Sequence, residues 1–251
     1  MRLKIEKSVV VITPTIGLPS LVQAVSSVRN QTYKNIKHLI VVDGPEYYDK
    51  VHQLVSKNED IFEYTRITST PINVGGNGFY GHRVYASYPH LVNEEYILFL
   101  DEDNWWDKDH IETLVNKIES EDLQWAHSLR KVYIEDDKLL GYDNCESIGR
   151  WPIWFTKGKT EQFLVDTSSY CFKRDFLIQV CNHWHFGWGG DRRFFMLIKD
   201  VAKYNTTGLH SLNYRLPDME KSYNGDYSFF ERGNAEILKQ YNGGYPWLSK
   251  T

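Results

Sequence analysis

The chain has 251 residues, 41% of them apolar, which is enough for one large domain with a core of ordinary size. Its net charge of −4 provides no basic surplus for binding nucleic acid or an anionic membrane, so polyanions are excluded as expected partners. Aromatic residues make up 15% of the chain, and their amphipathic rings suit the faces of sugars or nucleobases.

The cysteines and the apolar runs indicate the cellular setting. Three scattered cysteines without a CxxC pair are too few for a disulfide framework and favour a reducing compartment. The first apolar run, at residues 9–12, is too short for a signal peptide or a transmembrane helix. We therefore expect a soluble, cytoplasmic protein without a transmembrane segment, and leave a peripheral membrane contact open.

Strands and helices alternate over the first half of the chain. Apolar runs at 9–12, 38–42 and 96–100 predict buried strands, and 65–68 predicts a weaker one. Helical spacing predicts helices over about 18–28, 47–57, 79–92 and 111–118, with Asp107 as the N-cap of the last. The alternation predicts an α/β fold with a doubly wound, mainly parallel sheet flanked by helices, whose ligand crevice lies at the carboxyl ends of the strands.

The second half is less periodic and richer in Trp and Tyr. Residues 123–133 and 163–172 resemble strands, about 191–203 resembles a helix, and 223–251 reads as loop-rich. No repeat, low-complexity tract or linker separates the halves. We therefore expect a single domain over residues 1–251, in which the second half completes a site begun by the first.

Polar residues follow three of the predicted strands and should converge at one edge of the sheet. They are Thr13 and Thr15, Asp43, and Asp101 with Asp103. Two carboxylates in an Asp-x-Asp turn repel each other, and a divalent cation relieves that repulsion; hard oxygen ligands suit Mg²⁺ or Mn²⁺. The alternative is that these acids only end a strand and cap the next helix.

The segments VVVITPT (9–15), LIVVDG (39–44) and ILFLDED (97–103) resemble, in order and spacing, the nucleotide-binding half of family 2 glycosyltransferases with the GT-A fold. The resemblance implies a nucleotide-sugar-binding half over about 1–103 and an acceptor-binding, catalytic half over about 104–251. It implies that Asp103, with Asp101, holds Mn²⁺ or Mg²⁺ against the diphosphate. The implied nucleoside and nucleotide contacts are Thr13, Pro14, Thr15, Asp43 and Arg83, the last of which could equally be an exposed helix charge.

The second half carries the residues that the resemblance assigns to catalysis. Asp191, in the segment WGGD at 188–191, matches the general base of inverting members, although it could simply cap a helix. Gly190 stands where the family usually has Glu. Trp188, Gly189 and Gly190 are the expected acceptor contacts. His210 matches a histidine that reaches the metal or the diphosphate in some GT-A enzymes, a role that Tyr214 and Arg215 could equally fill over the diphosphate.

The resemblance implies metal-dependent transfer of one sugar, with inversion, from a nucleoside-diphosphate sugar to a hydroxyl of a glycan or another acceptor. Asp43 suits a pyrimidine imide, which favours UDP or dTDP and leaves GDP open. Two alternatives remain: an inactive sugar- or nucleotide-binding module of the same fold, and a nucleotidyltransferase. A nucleotidyltransferase normally has a basic glycine-rich loop near the first strand. This chain lacks one there, because residues 16–19 contain one glycine and no Lys or Arg.

Overall fold

A computed structural model describes residues 6–134, 137–216, 226 and 228–248. Its first half is a parallel sheet in the order β3-β2-β1-β4, with helices in the connections. The strands are β1 (Val9–Thr15), β2 (Ile36–Val42), β3 (Thr65–Ser69) and β4 (Tyr96–Phe99). The helices are α1 (Leu21–Arg29), α2 (Tyr48–Lys57), α3 (Glu59–Phe62) and α4 (His82–Ser87).

The second half extends the same sheet and mixes the strand directions. It contains β5 (Trp105–Trp106), α5 (His110–Glu121), β6 (Trp125–Ile134), β7 (Lys138–Asp143), β8 (Tyr170–Lys173), α6 (Arg174–Val180), α7 (Gly190–Ile198), β9 (Tyr204–Arg215) and α8 (Phe229–Gln240). The sheet continues from β4 in the order β8-β6-β9-β5. Strand β8 is antiparallel to both β4 and β6, whereas β6 and β9 are parallel. The predicted α/β class is confirmed.

The sheet is covered on both faces, as its continuous apolar strands require. Alternate residues of β1 point to opposite faces: Val10 and Ile12 pack with Phe99 and Trp184, whereas Val9 and Val11 pack in a separate cluster with the apolar residues of α5. No helix among the described residues is both long and apolar enough to cross a membrane.

Several predicted boundaries in the second half were wrong. Within the described part of the stretch predicted as loop-rich lies helix α8, and the strand expected over 163–172 is confined to β8. The helix expected over 191–203 ends at Ile198. Asp107 does not cap α5, because its carboxylate binds Lys131 at 2.7 Å and Asn213 at 3.0 Å on neighbouring strands.

The strand directions determine which residues meet. Because β8 runs opposite to β4 and β6, its amino end lies at the same edge as the carboxyl ends of β1, β2, β4, β6 and β9. Side chains from six strands or the turns next to them can therefore converge there. The doubly wound topology places a ligand crevice at this edge.

Three buried histidines give the fold a pH dependence. Burial lowers the pKa of His38 and His110 to about 3 and that of His127 to about 4, so the folded protein keeps all three neutral. The unfolded chain binds their protons below about pH 6.5, so their stabilisation is complete above that pH and is lost as the pH falls towards 3–4. The raised pKa values of Asp103, about 7, and Asp166, about 6, act in the opposite direction.

The test therefore compares variants rather than the wild-type curve alone. Between pH 8 and pH 5, we expect urea unfolding to show a smaller loss of unfolding free energy in His110→Gln than in the wild type. The difference should reach about 2 kcal/mol, from 1.4 kcal/mol per pH unit below the histidine pKa. The exposed His52→Gln is the matched control and should follow the wild type. Parallel curves for all three proteins would contradict the assignment.

Candidate active site

A cavity of about 960 Å³ opens at this edge of the sheet. It brings together eight of the residues singled out from the sequence. These are Pro14, Thr15, Asp43, Asp101, Asp103, Trp188, Gly189 and Asp191. These residues come from both halves of the chain, so the two halves build the cavity together.

In the Asp-Glu-Asp turn after β4, the middle carboxylate holds a neighbouring loop, and the two aspartates on either side of it line the cavity. Glu102, the middle residue, accepts hydrogen bonds from the Thr15 hydroxyl at 2.5 Å and from the backbone N–H groups of Ile16 and Leu18 at 2.9 and 2.8 Å. It thereby fixes the loop after β1. Asp101 accepts hydrogen bonds from the hydroxyls of Tyr85 and Ser168, at 2.5 and 3.2 Å.

The cavity carries a large excess of negative charge. Its described lining contains two guanidinium groups, Arg130 and Arg192, against seven carboxyl groups: Asp43, Asp101, Glu102, Asp103, Glu146, Asp166 and Asp191. Arg130 is already paired with Asp143, Glu146 and Asp166, at 2.5–2.8 Å, and Arg192 with Glu146. Among the described residues, therefore, no Lys or Arg forms an ion pair with Asp101 or Asp103.

Burial and this crowding perturb the two aspartates of the turn. Burial, followed by the charges of Asp101 and Glu102, raises the pKa of Asp103 to about 7. Burial also raises the pKa of Asp101; the Asp191 charge adds to the rise, and hydrogen bonding and nearby His82 oppose it. The structure thus concentrates carboxylate charge where a divalent cation would relieve it.

The donor set fits an oxygen-liganded cation only if other ligands contribute. Within the described residues, no group of three or more His, Cys, Asp or Glu side chains is arranged to hold a metal ion. Asp103 and Asp101 would therefore need phosphate oxygens or water to complete the coordination. Mg²⁺ and Mn²⁺ commonly bind in this way, through one or two carboxylates plus a substrate phosphate.

Asp43 shapes the end of the cavity formed by β2 and the glycine-rich loop. Its carboxylate accepts hydrogen bonds from the backbone N–H groups of Val74 and Gly75, at 2.7 and 2.8 Å. Gly75 leaves no space for a side chain: a Cβ there would lie 2.3 Å from Asp43 Oδ2 and 2.4 Å from the Tyr80 carbonyl oxygen. The loop therefore packs directly on Asp43 and holds its carboxylate in place.

Gly75 and Gly76 provide a matched pair of variants. In Gly75→Ala the new methyl group collides with the Tyr80 carbonyl oxygen, so the loop must move, and we expect loss of unfolding free energy of about 1–3 kcal/mol. In Gly76→Ala the nearest atom is 3.4 Å away, so the stability should stay close to that of the wild type. Thermal melts of both variants beside the wild type measure the difference. Equal behaviour of the two variants would contradict this role for Gly75.

Asp191 enters the cavity from the first turn of α7. Gly189, with φ of 77°, provides the left-handed turn before the helix, and the Arg192 N–H donates to Asp191 Oδ1 at 2.7 Å. Trp188 lies at the cavity with 76% of its surface exposed. A Cβ at position 190 would be 2.6 Å from the His82 ring, so Glu in place of Gly190 would require that ring to move.

Four residues singled out from the sequence lie outside the described lining of the cavity. Gly190 and Thr13 are two of them. The Thr13 hydroxyl is buried instead, 2.9 Å from His38 Nε2. Arg83 stacks 3.5 Å above the Phe79 ring and donates to the Val74 carbonyl, so it supports the glycine-rich loop. His210 Nε2 lies 2.8 Å from Asn144 Oδ1. Of the alternatives to His210, Tyr214 lines the cavity, whereas Arg215 binds Gln23.

Sequence reasoning missed the charged network on the cavity wall that the second half of the chain forms. Arg130, 3% exposed, lies on β6 and orients Glu146 and Asp166 along the cavity wall. A signal existed, because Arg130 lies between Leu129 and Val132 in a predicted strand, and an arginine buried there requires carboxylate partners. Which carboxylates these are could not be read from the sequence, since that depends on the antiparallel direction of β8.

Comparison with known proteins assigns the family. A family model described as "Glycosyl transferase family 2" matches residues 8–177, more than half of the chain. The chain belongs to glycosyltransferase family 2. No curated protein sequence matches it. This membership confirms the predicted family. The matched residues include strands β1 to β4 and the turn that follows β4.

Solved structures of a protein from S. aureus share the fold of this family 2 chain. TarS 1–349 in complex with UDP has 15% sequence identity and a TM-score of 0.57, and TarS 1–349 in complex with UDP-GlcNAc has 16% and 0.59. Each match covers 92% of this chain, but 65% and 66% of the TarS chain. A longer TarS structure has 14% identity and a TM-score of 0.59, with 44% of its chain covered. The predicted GT-A fold is confirmed.

Proposed function

We propose that this family 2 protein transfers one sugar from a nucleoside-diphosphate sugar to a hydroxyl of a glycan or another acceptor, with inversion at the anomeric carbon. The observation that carries the proposal is the single cavity that Asp101 and Asp103 share with Asp191. A uridine or thymidine donor is favoured, with guanosine as the alternative. Asp43 at the loop end of the cavity and the UDP and UDP-GlcNAc complexes of TarS support this preference.

The donor is held where the carboxylate charge is greatest. Asp103, with Asp101, would hold Mn²⁺ or Mg²⁺, which supplies positive charge against the diphosphate as its negative charge grows during departure. Without a cation, the seven carboxyl groups of the lining would repel a diphosphate. The proposal leaves out His210, because Asn144 already binds its Nε2 atom.

Asp191 is proposed as the general base. Its carboxylate takes the proton from the acceptor hydroxyl while that oxygen forms a bond to the anomeric carbon. The bond from the anomeric carbon to the diphosphate breaks, and its electron pair leaves with the nucleoside diphosphate. One displacement of this kind inverts the anomeric centre and needs no covalent enzyme intermediate. Trp188, exposed beside Asp191, offers a ring face on which an acceptor sugar can stack.

The donor site is tested by thermal stabilisation of the wild type with UDP, dTDP and GDP, each with and without Mn²⁺. A ligand that binds the folded state must raise the melting temperature. We expect one nucleotide to raise the melting temperature, and to raise it further when Mn²⁺ is present. If no nucleotide raises it, the proposal fails. Tight nucleotide binding without turnover of any donor would instead favour the binding module.

A further inference from the structure

His82, the first residue of α4, lines the cavity but has no role in the mechanism above. Its Nδ1 atom lies 2.8 Å from the carbonyl oxygen of Phe186. A carbonyl oxygen only accepts hydrogen bonds, so the Nδ1 atom must carry a proton. The ring also packs against Trp184, with the ring centroids 5.5 Å apart. The imidazole is therefore held in one orientation, with its Nδ1 atom already used.

The other ring nitrogen is available to a ligand. Within the described residues Nε2 has no hydrogen-bond partner, and it is not enclosed by protein in the way that the unpartnered nitrogens of His38 and His110 are. In a neutral ring protonated at Nδ1, Nε2 carries a lone pair and accepts a hydrogen bond. A hydroxyl group is the donor that a sugar would offer there.

The surroundings of His82 place it between the two reacting sides. The space that a side chain at Gly190 would fill is taken by the imidazole, whose Cε1 and Nδ1 atoms would lie 2.6 Å from such a Cβ. His82 is thus packed against the residue that precedes Asp191. The same helix also reaches Asp101, because the hydroxyl of Tyr85, one turn after His82 in α4, donates a hydrogen bond to Asp101 Oδ1 at 2.5 Å. The transferred sugar must lie between the diphosphate and the acceptor, and His82 lines this part of the cavity, between Asp101 and Asp191.

We propose that His82 is a specificity-determining residue for the transferred sugar, its Nε2 atom accepting a hydrogen bond from a sugar hydroxyl. The inference rests on the proposed function, since it requires a nucleoside-diphosphate sugar in this cavity. It assigns to His82 a contact with the sugar and none with the nucleotide. Removing the Nε2 atom should therefore weaken sugar-dependent affinity selectively.

Two isosteric variants separate the two ring nitrogens. Asn places its amide N–H near the position of Nδ1, so His82→Asn keeps a donor for the Phe186 carbonyl and loses the atom at Nε2. Gln reaches the position of Nε2 and retains an acceptor there. Calorimetric titration in Mn²⁺ gives the dissociation constants of UDP and of the UDP-hexose that the wild type binds most tightly.

We expect His82→Asn to bind UDP within about twofold of wild type and the UDP-hexose about 2- to 12-fold more weakly, the range of one neutral hydrogen bond. His82→Gln should bind the UDP-hexose more tightly than His82→Asn does. Gly190→Ala, which pushes the ring away, should reproduce the selective loss without changing His82 itself.

The inference is overturned if His82→Asn weakens UDP and the UDP-hexose equally, as a purely structural role would, or if it binds both as the wild type does. Failure of the wild type to bind any nucleoside diphosphate is a different result. It would contradict the proposed function, and this inference with it. Nucleotide binding that is retained while the His82 variants show no selectivity would contradict the inference alone.

Discussion

Replacing Asp191 with Asn should slow sugar transfer by about 10²- to 10⁴-fold, the contribution typical of a positioned general base. The amide has the shape of the carboxylate and can still accept the hydrogen bond from the Arg192 N–H, so α7 should begin unchanged. What is lost is the ability to take a proton from the acceptor hydroxyl. The rate is measured with the donor that thermal stabilisation identifies, using water or a sugar alcohol as acceptor.

Asp200→Asn is the matched control. Asp200 follows the same helix, and its side chain is 83% exposed and paired with Lys199 at the surface. It should leave the rate unchanged, because exposed ion pairs contribute little. In Asp191→Asn the affinity for the nucleoside diphosphate should stay near the wild-type value. A rate close to wild type in Asp191→Asn would show that another group removes the proton.

Replacing Asp103 with Asn should remove the Mn²⁺-dependent part of nucleotide binding. A change in a group that only supports a metal ligand typically costs 10- to 100-fold in affinity, so loss of a proposed ligand should cost at least about that much. The same variant should raise the stability of the protein without nucleotide at pH 8. Because the pKa of Asp103 is raised from 3.8 to about 7, the folded state loses stability as the pH rises from about 4 to about 7, and the whole penalty is present at pH 8.

The gain in unfolding free energy should be on the order of 1–2 kcal/mol, because the open cavity screens part of the repulsion. Asp200→Asn, at the exposed carboxylate after α7, is again the control and should alter neither stability nor nucleotide binding. Thermal melts with and without UDP and Mn²⁺ measure both effects. A lower melting temperature in Asp103→Asn, with unchanged Mn²⁺-dependent binding, would mean that Asp103 is structural.

The first half of the fold was predictable because its signals are local. A run such as Val9–Ile12 is apolar at every position, and only a strand covered on both faces buries all of it. The second half depends on distant contacts. Helix α8 packs through Gly233, where a Cβ would meet Cys145 Sγ at 2.4 Å and Trp154 Nε1 at 2.6 Å. No local pattern in the sequence shows this approach.

The candidate site was likewise predictable from the sequence only in part. Asp43, Asp101 and Asp103 follow parallel strands, so topology alone brings them to one edge. The orientations of Arg83 and His210 depend instead on the polar atoms around them in the folded chain. Arg83 binds the Val74 carbonyl, and His210 binds Asn144. Likewise, the space at Gly190 is taken by His82, which is 108 positions earlier in the chain, and only the folded structure shows this exclusion.

The most direct test of the account is the product released from a nucleoside-diphosphate sugar by the wild type. UDP-, dTDP- and GDP-sugars are incubated with the protein and Mn²⁺, with and without a hydroxyl acceptor, and the nucleotide products are separated. We expect release of a nucleoside diphosphate from one donor, and this release should depend on Mn²⁺ and be slower in Asp191→Asn. A donor that binds but stays intact in every condition, or release of pyrophosphate or a nucleoside monophosphate, would contradict it.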